Sequence, residues 1–185
     1  MRSSPVIRWT GLTAILAGAM YIAQALIDLA RQPGEVFSAL SDQRLEAAFV
    51  AALLLTLAGL AGIRLRQGAR AGHLGTIGFF VAFIGTILAL VSALITLAIG
   101  RNALELVFVL GLVAALAGTT LFGSAIIRAP ALPRWCGAAL LIGLPAALLL
   151  ANYEGGIILS LGWAGLGYAL WMERAATGRS AFAGR

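Results

Sequence analysis

The chain has 185 residues, 61% of them hydrophobic and only 11% charged, with 23 glycines besides. A soluble domain carries about 25% charged residues, and a globule of this length has too little interior to hide so much apolar surface. The net charge of +6 comes from arginine, since lysine is absent; in so apolar a chain it marks loops beside anionic lipid and argues against nucleic acid.

Membrane helices need about 20 mostly apolar residues, and six stretches are read as such. The first covers about 9–29 and carries Gln24 and Asp28 near its far end, four residues apart and so on one helical face. Pro33-Gly34 follows as a breaker. The second covers about 45–63, with Glu46 at its start. Gln67-Gly68-Ala69-Arg70 reads as the next loop, with His73 just beyond it. The third and longest covers about 74–99 and ends at Arg101-Asn102. The fourth covers about 104–127, with Glu105 in its first turn. Pro130 and Pro133 break the chain before the fifth, about 135–151, where Pro145 should kink the helix. Asn152 to Gly155 turns into the sixth, about 156–171. The runs are continuous, whereas barrel strands alternate. The expected fold is all-α: one polytopic transmembrane helical bundle over 1–185.

Arginine counting sets the orientation. The N-terminus, the second and fourth loops and the C-terminus hold Arg2, Arg8, Arg64, Arg66, Arg70, Arg128, Arg134, Arg174, Arg179 and Arg185; the opposite side holds only Arg31, Arg44 and Arg101. Asp28, Glu35, Asp42, Glu46, Glu105 and Glu154 lie toward the arginine-poor side. Both termini are therefore expected in the cytoplasm. A cleavable leader ending near Ala23-Gln24-Ala25 is the competing reading of the N-terminus. It would leave five spans and spoil the charge symmetry. Trp9, Trp135 and Trp171 fall at boundaries on the arginine-rich side, where an amphipathic ring prefers to sit. Trp163 falls mid-span and needs a packing or ligand explanation.

Small residues four apart, such as Gly78 and Ala82, Gly85 and Ala89, or Gly111 and Ala115, allow close helix approach. They serve either the bundle itself or a dimer.

Reaction chemistry is scarce. The sole histidine, His73, leaves no bis-histidine haem site, and the sole cysteine, Cys136, leaves no disulfide or cysteine-based zinc site. Neither a catalytic triad, nor a phosphate loop, nor a zinc-protease helix is found. No cofactor, metal or catalytic residue is expected, and the chain is read as a non-enzyme. Intramembrane charges are functional-site candidates, yet none falls at the midplane. Gln24, Asp28, Glu46 and Glu105 are the candidates for a ligand site at an outward mouth. Interfacial salt bridges and caps are the preferred account of them, and for Glu46 and Glu105 acids in a first helical turn also suit the helix dipole. Arg64, Arg66, Arg70 and His73 are the candidates for contact with lipid headgroups. Cys136 is read as an inert thiol.

Several segments carry a resemblance: Gly11 to Gly18, Gly75-x-x-Gly78-Phe79, Arg128-Ala-Pro-Ala-Leu-Pro-Arg-Trp135, Gly162-Trp163 and Gly167 to Trp171. Across nearly the whole chain the pattern resembles a broad group of short six-helix bacterial inner-membrane proteins. The resemblance implies a six-span protein of that membrane and carries over no activity and no functional residue. The expected role is binding of a membrane-protein partner, a second copy or a lipid-like ligand, as an accessory subunit or sensor. The alternative is a small transporter or channel-like carrier acting as a homo-oligomer.

Overall fold

The computed structural model describes residues 5–30, 39–99, 104–128, 132–149 and 153–182, the side chains at several helix ends excepted. They form six α-helices: α1 (Pro5–Ala30), α2 (Ala39–Gln67), α3 (Gly72–Ile99), α4 (Glu105–Arg128), α5 (Arg134–Leu149) and α6 (Tyr153–Phe182), with a 3-10 turn (Gly68–Ala71) joining α2 to α3. Four are long and apolar enough to cross a membrane, whereas the apolar parts of α5 and α6, Arg134–Ala147 and Ile157–Trp171, are shorter. The two largest boundary differences from the sequence reading are at α2 and α6. α2 begins six residues before Leu45, and α6 continues to Phe182. In both cases the helix runs on through polar residues, because hydropathy reports burial in lipid and not backbone conformation.

Each helix packs against its neighbours in chain order, and α6 returns to α1, so the helices form a closed ring. All neighbours are antiparallel. Gly62 and Gly59 of α2 meet Thr10 and Ala14 of α1. Val50 and Leu53 of α2 cluster with Ala89 and Leu90 of α3. Gly165 and Gly162 of α6 meet Trp135 and Ala139 of α5.

Two seams are close along their length, and both depend on glycine. In α3–α4, a Cβ on Gly111 would stand 2.8 Å from the Gly85 carbonyl oxygen, and one on Gly78 would stand 2.6 Å from the Phe122 nitrogen. In α1–α6, a Cβ on Gly18 would stand 2.6 Å from the Ser160 carbonyl oxygen, and one on Gly167 would stand 2.6 Å from the Ile15 nitrogen. Real Cβ atoms do not fit at these distances, so backbone packs on backbone.

The ring is filled on the arginine-rich half by Leu60, Ile63, Phe79, Phe122, Ile126, Cys136, Trp163 and Leu166. Trp163 is 4% exposed and its ring lies over Gly59, 2.8 Å from where a Cβ would be. Its mid-span position is thus explained by core packing. Toward the other end a second cluster joins Val50, Leu53, Ala89, Leu90 and Ala93.

Large apolar side chains point away from the ring: Leu16, Leu54, Ile77, Phe80, Ile84, Leu106, Val113, Ile142 and Leu161 are all exposed. The interior of the seams is glycine, alanine, serine and threonine. This is the reverse of a soluble helical bundle and suits an apolar solvent. Most hydroxyls bond back to their own helix, as in Thr86 to the Ala82 carbonyl and Thr119 to the Ala115 carbonyl, both 2.8 Å. Trp9, Trp135 and Trp171 are exposed and ring the arginine-rich end.

Candidate functional site

The expected outward mouth is only partly assembled. Gln24 Nε2 donates to the Leu45 carbonyl at 3.4 Å and so ties α1 to α2. Below it, the Tyr21 and Thr56 hydroxyls bond at 3.2 Å across the same interface. Glu46 follows Leu45 and is half-buried. Because α2 begins at Ala39, Glu46 stands about two turns inside the helix. The helix dipole acts only within the first turn, so it does not account for this carboxylate.

Glu105 is the first residue of α4 and is exposed, as a dipole-compensating acid should be. An edge-on ring pair, Phe49 of α2 and Phe108 of α4, has centroids 5.9 Å apart. Glu46 and Glu105 each precede one of these rings by three residues, and α2 and α4 run parallel. Both acids therefore lie one turn beyond the aromatic pair, at the same end of the ring. Ser92 of α3 donates to the Leu104 carbonyl at 3.0 Å and fixes the start of α4. Gln24 thus ties α1 to α2 at Leu45, the residue before Glu46, and Glu46 and Glu105 each precede a ring of the Phe49–Phe108 pair by one turn. The side chain of Asp28 lies outside the described residues.

At the arginine-rich end, the four candidate headgroup residues separate into two kinds. Arg64 is held by protein: it donates to the Gly68 carbonyl at 2.6 Å and to the Thr76 hydroxyl at 3.1 Å. Thr76 in turn donates to the Gly72 carbonyl at 2.9 Å. Arg66 is half-buried, while Arg70 and His73 are exposed. The corner they surround turns through Gly68 and Gly72, whose φ values are +52° and +59°. That left-handed conformation favours glycine.

Sequence reasoning missed one residue here. Gln67 looked like loop, but it is the last residue of α2. It is 1% exposed, and neither its amide nitrogen nor its amide oxygen has a hydrogen-bond partner. Its spacing carried the signal: Leu60, Ile63 and Gln67 recur at three and four residues, so all share the inward face.

Cys136 is fully buried in the core cluster. Among the described residues no group of histidine, cysteine or acidic side chains is arranged to hold a metal ion. No family model matches the chain, and neither a curated protein nor a solved structure matches it.

Proposed function

We propose that the chain is a six-span protein of a bacterial inner membrane, with both termini in the cytoplasm, that binds a membrane partner or a lipid-like ligand as an accessory or sensory component. The observation that carries this reading is the filling of the ring. Trp163, Phe79, Phe122 and Ile63 pack its interior on the arginine-rich half, and among the described residues no charged side chain is buried. A packed, uncharged interior favours recognition at the rims over passage through the middle. The four long apolar helices and the tryptophans at one end support the membrane setting. Native mass spectrometry of protein released gently from its own membrane tests the reading. A defined extra mass or second chain is expected; a bare chain carrying only bulk lipid counts against it.

The second reading is a small homo-oligomeric carrier. It is favoured by Pro145 within α5, since broken helices commonly line transport sites. Under this reading, replacing Asp28 by Asn abolishes proton- or cation-coupled uptake in reconstituted vesicles. Unchanged uptake would remove Asp28 as the coupling residue.

A further inference from the structure

Among the described residues, Gln67 is the buried side chain whose polar atoms have no hydrogen-bond partner. A primary amide offers two donors and an acceptor. Leaving such a group buried and unbonded costs stability, and an apolar residue of the same shape would avoid that cost. The residue continues the inward column of Leu60 and Ile63, both fully buried, so the amide sits where the packed core meets the arginine-rich rim. Only the 3-10 turn, Gly68–Ala71, follows it before α3 begins.

That turn is suited to act as a cover. Its two flanking glycines carry the left-handed conformations, and a Cβ on either would meet nothing within 4 Å. The corner is therefore lightly packed on its outer side. It is held by Arg64, whose guanidinium bonds the Gly68 carbonyl, next in sequence to Gln67. Arg70 and His73 stand exposed beside it, and the amino-terminal end of α3 begins at Gly72. Unpaired amide hydrogens at a helix N-terminus favour anions.

We propose that this corner is a binding site for a phosphate ester bearing a free hydroxyl. Its phosphate is taken by Arg64, Arg70 and the start of α3, and its hydroxyl by the Gln67 amide. The hydroxyl is both donor and acceptor, which is what the amide lacks. The phosphate competes with the Gly68 carbonyl and Thr76 hydroxyl for Arg64 and so loosens the turn that follows Gln67. Such chemistry comes from a lipid headgroup or from a soluble ester. The proposal rests on the lipid-like-ligand reading and places the site at the arginine-rich rim.

The test uses the full chain in nanodiscs of defined composition, with retained lipid measured by native mass spectrometry. Phosphatidylglycerol carries both groups, phosphatidic acid the phosphate alone, and phosphatidylethanolamine neither net negative charge nor hydroxyl. The wild type is expected to retain phosphatidylglycerol about fivefold over phosphatidic acid, one net hydrogen-bond contribution. Gln67→Leu should abolish that preference while keeping anionic lipid over phosphatidylethanolamine, and should raise the melting temperature of lipid-free protein. Gln67→Asn, which keeps the amide but withdraws it, should retain part of the preference. Arg70→Gln should weaken both anionic lipids alike. Displacement of phosphatidylglycerol by glycerol 3-phosphate would assign the site to a soluble ester of the same chemistry. Equal retention of the two anionic lipids by wild type, an undiminished preference in Gln67→Leu, or a lowered melting temperature in that variant would overturn the proposal. A protein partner found in the native membrane alongside an undiminished preference would sink this site and leave the broader binding reading standing.

Discussion

The α3–α4 and α1–α6 seams solve one problem with different residues. Both place small residues seven apart on each helix: Gly78 and Gly85 against Gly111 and Gly118, and Gly11 and Gly18 against Ser160 and Gly167. The neighbours also correspond. A Cβ on Gly111 would meet the Gly85 oxygen, the Leu88 Cβ and the Ala89 nitrogen; one on Gly11 would meet the Gly167 oxygen, the Leu170 Cβ and the Trp171 nitrogen. The tightness differs at this one position. These three distances are 2.8, 3.1 and 2.7 Å at Gly111 but 3.1, 3.2 and 3.4 Å at Gly11. The α1–α6 seam also carries Ser160, fully buried, where the other has Gly78. The seven-residue register is thus what the two antiparallel pairs share. Glycine is obligatory only where the partner's backbone comes within Cβ distance.

That contrast can be broken by graded substitution, read as stability of the detergent-solubilised protein. Gly118→Val should be the most damaging change, because even a Cβ there runs into the Ala82 backbone; loss of the folded bundle is expected, seen as failure to elute as a single species. Gly18→Ala should cost about 2–3 kcal/mol, since backbone cannot yield as a flexible side chain would. Arg64→Ala should cost about 1–2 kcal/mol through two lost bonds at the corner. Gly11→Ala should cost about 1 kcal/mol or less, as its neighbours need give by only a few tenths of an ångström. Gly143→Ala should be neutral or slightly stabilising. Its nearest contact would be an ordinary 3.6 Å, and alanine loses less backbone entropy in a helix. If Gly11→Ala proved as damaging as Gly18→Ala, tightness would not be what grades the positions along the α1–α6 seam.

The helices were legible because apolar runs broken by glycine, proline and arginine mark spans directly. The close-packing faces of α3 and α4 were legible too: Gly78, Ala82, Gly85, Ala89, Gly111 and Ala115 are all buried. What could not be read was which face meets which helix. Gly11 and Gly18 belong to a seam whose other half lies some 150 residues away, and no local pattern encodes that partner. Gly143 stands four residues before Ala147, the same small-residue spacing, yet meets only ordinary contacts. At the candidate sites the residue types were legible and their surroundings were not. Arg64 looked like a lipid contact and is tied to Gly68 and Thr76. Gln67 looked like loop because glutamine beside glycine and arginine reads as solvated, whereas the helical face it continues carries it inward. Burial of Cys136 likewise makes its thiol a reporter of unfolding, since a folded core shields it from reagents on either side of a membrane.

Closing the ring through α1 and α6 has a consequence for how the chain is made. The glycine face of α1 leaves the ribosome well before its partner on α6. At about 5–20 residues per second, the intervening chain takes about 10–30 s to synthesise. During that interval α1 has only α2 on one side, and its glycine face is bare backbone in lipid. Something must occupy that face until α6 arrives, whether the insertion machinery, a passing helix or lipid itself. The order of synthesis thus makes α6 the helix that releases α1.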